Sequence, residues 1–250
     1  MSKQKISTWA WISLGFGIAA ALLLALSGYG YQWNWWGLGT AFTWLLPSSG
    51  ILGLIGFSLA LFFGFTRRNN PKTRGAGITF VGVVLSIAVM STLGYWFTEA
   101  QKYPPIHDIS TDIDNPPEFR NIVPLRADAP NDTTYGDQKK ADIQRKTYPD
   151  VKTLYLEQEY GKAFDRALAA AEEMPWEEIV TNNKDSGIIE AYDKLPWFGF
   201  VDDVVIRIDT AETAGSTKID VRSVSRIGRS DIGVNAERIR NYLNTVKEQE

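Results

Sequence analysis

The chain has 250 residues, 44% of them hydrophobic, a formal net charge of −3 and no cysteine. Without cysteine, disulfides, iron–sulfur clusters and thiolate zinc sites are excluded. Those averages would suit a soluble enzyme, but the charge is unevenly spread: up to Ala100 the only charged side chains are Lys3, Lys5, Arg67, Arg68, Lys72, Arg74 and Glu99, a balance of +5, which leaves −8 for the remainder. An apolar front with basic spots, followed by an acidic polar body, is the pattern of a membrane anchor joined to a water-exposed domain.

Three uncharged apolar stretches are long enough to cross a bilayer as helices, about Trp9 to Gly28, Ala41 to Phe65 and Gly77 to Phe97. Pro47 in the second predicts a kink or a delayed helix start, because proline is best tolerated in a first turn. Lys3 and Lys5 precede the first span and TRRNNPKTR follows the second, while the first loop carries no charge. Basic loops stay cytoplasmic, so the N-terminus and the Arg67–Arg74 loop are expected inside, with Glu99 onward delivered to the opposite side. In bacteria that side is the periplasm, and the membrane is the inner one. Tyr29, Tyr31, Trp33, Trp35, Trp36, Tyr95 and Trp96 fit an outer interfacial belt. A second reading makes the first stretch a cleaved signal peptide ending at Ala25-Leu26-Ser27; the domain is extracytoplasmic either way. No ionisable group within the spans points to a transport path. Small residues four apart, Gly17, Ala21 and Ala25 then Gly56, Ala60 and Gly64, favour close packing within a three-helix bundle over oligomerisation.

Residues 101–150 are rich in Pro, Asp, Asn and Thr and show no sustained period. Interspersed Ile106, Ile109, Ile113, Phe119, Ile122, Val123 and Leu125 favour a segment draped on the soluble domain over a free tether. Residues 151–250 read as VKTLYLE, a strand; KAFDRALAAAEEM, a helix with Phe164, Ala167, Leu168 and Ala171 on one face; then WEEIVTNN and GIIEAYDKL, two strands turning at Asn183–Gly187. FVDDVVIRIDT and STKIDVRSVSRI form a further pair around Ala214-Gly215. A last helix runs from Ser230 or Asn235 to Glu248, burying Ile239, Tyr242, Leu243 and Val246. The order β-α-β-β-β-β-α predicts an α+β domain, an antiparallel sheet of four to five strands packed by two helices, like the helix-grip folds.

Five arginines fall in VRSVSRIGRSDIGVNAERIR, Val221 to Arg240. Pairing Arg207 with Asp220 sets Asp209 against Lys218 and Asp203 diagonal to Arg222 and Arg226, so opposite charges meet across the strands. Arg226, Arg229 and Arg238 surround the start of the last helix, whose unpaired N–H groups can complete an anion site. The competing reading is that Ser230 or Asn235 caps the helix and Asp231 pairs with an arginine.

HDISTDIDNPPEF (His107 to Phe119), WFGFVDDVVIRI (Trp197 to Ile208) and DVRSVSRIGRSDIGVNAERIR (Asp220 to Arg240) resemble the bacterial and chloroplast domain of unknown function 1499 family, over about Pro104 to Val246. That resemblance implies that the His107 block belongs with the globular domain; it supplies no catalytic residues.

A single histidine limits catalysis. His107-Asp108 with Ser110 and Thr111 has the groups of a base and nucleophile, although such a run is more often a turn bonding its own backbone. His107 with Asp108, Asp112 and Asp114 matches neither a calcium loop nor HExxH. No P-loop or dinucleotide fingerprint is present, no cofactor is implied, and the acidic balance disfavours nucleic acid. The expectation is a multi-pass membrane protein, leaning non-catalytic, whose extracytoplasmic domain binds an anionic lipid headgroup or a membrane-protein partner. Its ligand-binding candidates are Arg222, Arg226, Arg229, Arg238, Asp202 and His107. The alternative is an envelope enzyme or apolar-ligand carrier whose site combines His107 with Asp202, Arg222 and Arg226.

Overall fold

Three helices, α1 (Thr8–Gln32), α2 (Leu38–Asn69) and α3 (Ala76–Lys102), are each long and apolar enough to cross a membrane. The computed structural model describes residues 6–249, so Lys3 and Lys5 of the N-terminal basic pair lie outside the described residues. By contacts the chain divides into Met1–Ala100 with Trp197–Gly199, and Gln101–Pro196 with Phe200–Glu250.

Contrary to the expected late start, α2 begins at Leu38 and continues past Pro47. A π-helical turn over Ala41–Leu45 precedes the proline. Proline lacks an N–H and its ring crowds the carbonyl four residues earlier, and the wider turn relieves both without ending the helix. Glycines bring the three helices together: a Cβ on Gly17 would stand 2.8 Å from the Gly82 carbonyl oxygen, and one on Gly82 would stand 3.0 Å from the Leu14 backbone. The Ser13 hydroxyl donates to the Gly56 carbonyl at 2.8 Å. Gly17, Gly56 and Ala60 are thus packed inside the bundle, whereas Ala25 and Gly64 face outward. Ser7 N–H donates to the Arg74 carbonyl at 2.9 Å, tying the chain before α1 to the α2–α3 loop.

The C-terminal unit is built on six antiparallel strands: β1 (Asp108–Ser110), β2 (Leu154–Leu156), β3 (Glu178–Asn183), β4 (Ile188–Lys194), β5 (Val201–Thr210) and β6 (Thr217–Ser225). The order is β1-β6-β5-β4-β3, with β2 pairing the other half of β6. The four or five strands expected are therefore six, because the segment before Val151 supplies β1. Three helices belong to this unit as well, not two: α4 (Gln138–Thr147), α5 (Tyr160–Glu173) and α6 (Val234–Glu248). Asp137 caps α4 by accepting from the Lys140 N–H at 3.0 Å, a local signal hidden in a segment of low hydrophobicity. Buried Gln144 of α4 accepts from the Ser110 N–H at 3.1 Å and donates to its carbonyl at 2.6 Å, so one amide side chain closes the edge of β1.

Alternation sorts the sheet's side chains into two cores. On one face Ile189, Val204, Ile206, Ile208, Ile219 and Val221 pack against Phe164, Ala167, Ile239 and Tyr242 of α5 and α6. On the other, Ile188, Val205 and Val224 meet Phe119 and Ile122 from an irregular strap, residues 112–135. The β5–β6 register sets Arg207 against Asp220 and Asp209 against Lys218, as the charge pattern predicted. Gly187 turns β3 into β4 at φ +68°, where an added Cβ would lie 2.1 Å from the Ile208 carbonyl oxygen. We predict that Gly187→Ala destabilises this unit by at least about 2 kcal/mol, combining backbone strain with the clash; a denaturant midpoint equal to wild type would contradict it.

Candidate functional site

Strand β6 carries its polar side chains to both faces, and the arginines divide accordingly. On the strap face, Arg222 forms a bidentate pair with Asp108 at 2.8 and 2.7 Å and donates to the carbonyls of Pro117 (3.1 Å) and Thr133 (2.8 Å). Its guanidinium lies 5.2 Å from the Phe119 ring and 5.3 Å from the Tyr135 ring. Arg226 donates to Asp203 and, at 2.7 Å, to the Leu125 carbonyl. Arg126 rises from the strap to the same carboxylate at 2.7 Å and also donates to the Asn131 carbonyl. Burial pushes the Arg126 guanidinium below its usual pKa, with Asp203 opposing that shift. Arg207 bonds Asp220 at 2.8 Å, Asp112 at 3.2 Å and the Asn115 carbonyl at 3.0 Å.

The Glu190 carboxylate, also on this face, is fully buried and makes no ion pair among the described residues. It accepts the N–H groups of Arg120 at 2.6 Å and Ile122 at 2.7 Å. Carbonyls of the strap meet arginines, and its amides meet Glu190. Each of these bonds is charge-assisted, and those from Arg222 to the Pro117 carbonyl and from the Ile122 N–H to Glu190 are buried, the condition in which such bonds are strongest.

On the helix face, Arg238 of α6 bonds Asp193 at 2.7 Å and Asp202 at 2.9 Å. It also bonds the Asn235 side chain, which accepts from Ser223 and donates to the His107 carbonyl. The start of α6 is occupied by Asp231, whose two carboxylate oxygens each accept at 2.9 Å from the N–H groups of Gly233 and Asn235. Burial raises the Asp231 pKa against the lowering effect of those bonds. Asp231 thus holds the position an external anion would take. The competing reading expected a cap from Ser230 or Asn235 and an arginine partner for Asp231, whereas Asp231 itself accepts the backbone N–H groups and makes no ion pair among the described residues.

The candidate residues are therefore not one site. Arg222 and Arg226 lie on the strap face, Asp202 and Arg238 on the helix face. The His107 backbone continues β1 against Ser225, which places its ring with the helix face, its Nδ1 3.4 Å from the Arg229 carbonyl. Arg229 is exposed and makes no ion pair among the described residues. Around His107 the hydroxyls serve the fold: Ser110 donates to the Asp112 carbonyl, and Thr111 donates to Asp220 while accepting from the Val221 N–H. Asp108, Asp112 and Asp114 each pair with a different arginine, 222, 207 and 145. Sequence reasoning missed Arg126, Asn131 and Glu190. Only Glu190 left a trace, a carboxylate sharing a strand face with Ile188 and Tyr192.

Membrane-length helices followed by an α+β domain whose ionic groups are paired on both sheet faces define the class. A family model described as "Protein of unknown function (DUF1499)" matches residues 108–246, more than half of the chain, and the chain belongs to that family. No curated protein matches it. No solved structure matches it.

We predict that Asp203→Ala, which strands Arg126 and Arg226 at a buried position, costs about 3–5 kcal/mol. Arg229→Gln should stay within about 0.5 kcal/mol of wild type. Urea unfolding of both variants checks the contrast, and equal losses would refute the assignment of Asp203 as the shared counter-ion.

Proposed function

We propose that this protein is a non-catalytic membrane component, its N-terminus cytoplasmic, that presents its α+β domain on the extracytoplasmic side to a protein partner. The observation that carries the reading is that Arg222, Arg226 and Arg238 all find carboxylate partners within the domain. Saturated in this way, they have little left to offer a lipid phosphate. A part carrying −8 in sequence also repels an anionic membrane surface.

The same clamps favour a docking surface of another kind. Val123 and Leu125, 40% and 51% exposed, stand on a short 3-10 turn, Val123–Arg126. That turn is held by Arg226 on the Leu125 carbonyl and by Arg126 on Asp203. A rigid, partly exposed apolar knuckle framed by polar chain supports such a surface, because pre-ordering lowers the entropic cost of binding.

The enzyme alternative needs His107 beside Asp202, Arg222 or Arg226. The two arginines lie on the opposite face of the sheet, and Asp202, on the same face as His107, is already bonded to Arg238. A helix-grip carrier would need open space beneath the sheet, where Phe164, Ile206, Ile239 and Tyr242 instead pack together.

A photo-crosslinking residue at Leu125 in intact cells should yield a discrete protein adduct, weakened several-fold by Val123→Ser, whereas one at Lys139 should not. Adducts with lipid alone, or none above the Lys139 background, would contradict the reading. Catalysis is tested separately by His107→Ala, which should leave any cellular phenotype of the gene intact.

A further inference from the structure

The cations at the α2–α3 connection have a different status from the paired arginines of the domain. Arg67, Arg68, Lys72 and Arg74 lie within eight residues at the α2–α3 connection, and none has an ion pair among the described residues. Described residues 6–98 hold no carboxylate at all. The first, Glu99, is 23 residues along α3 from Ala76, about 35 Å at 1.5 Å per residue and several Debye lengths away. This positive charge is uncompensated within its own unit.

The loop is also shaped. Arg67, Lys72, Thr73 and Arg74 line a shallow concavity of about 380 Å³ together with Pro71, Gly75 and Ala76. The loop is braced from beneath: Ile6 bridges Arg74, and Ser7 N–H donates to the Arg74 carbonyl. Gly75 sits at φ +130°, where a Cβ would come within 2.7 Å of Ala10 Cβ, so the loop lies tight on α1. Bracing of this kind reduces the ordering cost of binding.

We propose that this concavity is a binding site for the phosphate of an anionic phospholipid in the leaflet the loop faces, with Arg67, Lys72 and Arg74 as its ligands. Position and charge agree: the residues cap helices that enter the bilayer at this end, where lipid phosphates lie and where each basic side chain near an anionic surface adds favourable attraction. Arginine supplies a planar fork for two phosphate oxygens and lysine a point charge. The site is independent of the arginines of the α+β domain, and the docking proposed for that domain can fail without touching it.

The test uses the full-length protein in a neutral detergent. Its thermal unfolding is followed with added phosphatidylglycerol or phosphatidylcholine of the same chain length, and retained lipid is counted by native mass spectrometry. The wild type should be stabilised by, and retain, phosphatidylglycerol and not phosphatidylcholine. Arg67→Gln/Lys72→Gln/Arg74→Gln should weaken that affinity roughly a hundredfold, by the summed effect of three basic residues. Lys139→Gln/Lys140→Gln/Lys146→Gln, removing equal charge from the other unit, should leave it unchanged. Because charge loss in the loop can disturb insertion, Thr73→Glu gives a second route: it keeps all the cations, places a carboxylate among them, and should weaken binding at least about tenfold. Equal response to the two lipids, or a Thr73→Glu protein that binds like wild type, would overturn the proposal. Inorganic phosphate reproducing the full stabilisation at matched concentration would also overturn it, by reassigning the concavity to a free anion.

Discussion

The C-terminal domain depends on how the second face of its sheet is covered. A helix laid there would satisfy its own backbone, but the strap of residues 112–135 is almost wholly irregular, and its carbonyls and amides need partners from elsewhere. Arg207, Arg222 and Arg226 from the sheet supply donors, and Glu190 supplies acceptors. Buried charges of this kind are expensive alone, and each arginine is matched by Asp220, Asp108 or Asp203. Removing any member of the network leaves a charge or a backbone group without a partner.

The N-terminal unit, with its three membrane-length helices, solves a different problem by different means. Its helices carry no internal charge, so close approach has to come from small side chains, and Gly17, Gly56 and Gly82 let backbones nearly touch. The helix ends are where polarity appears. There the basic loop stays unpaired, whereas Arg207, Arg222, Arg226 and Arg238 are paired within the domain, and that contrast separates charges serving the fold from charges available to a ligand.

Much of this was legible in sequence. The spans followed from uncharged length, β3 to β6 from period-2 alternation, and α5 and α6 from helical spacing. The β5–β6 register followed from opposite charges at Arg207 and Asp220. Phe119 and Ile122, among the scattered apolar residues of residues 101–150, are buried. What stayed hidden were elements whose stability is tertiary. Helix α4 has little apolar face of its own, and three-residue β1 exists because β6 and Gln144 pair both of its edges. The arginines posed a subtler difficulty, since composition cannot distinguish a guanidinium aimed at solvent from one aimed at a carbonyl a hundred residues earlier, as Arg226 is at Leu125.

Hydrogen–deuterium exchange on the full-length protein, comparing wild type with Arg222→Gln, tests the clamping of the strap most directly. The wild-type amides of Arg120 and Ile122 should exchange slowly despite lying in irregular chain. In the variant, protection should fall across residues 112–135 while β3, β4 and β5 keep theirs. A strap that exchanges at the unstructured rate in the wild type, or one whose protection is unchanged by the substitution, would show that the arginines do not hold it.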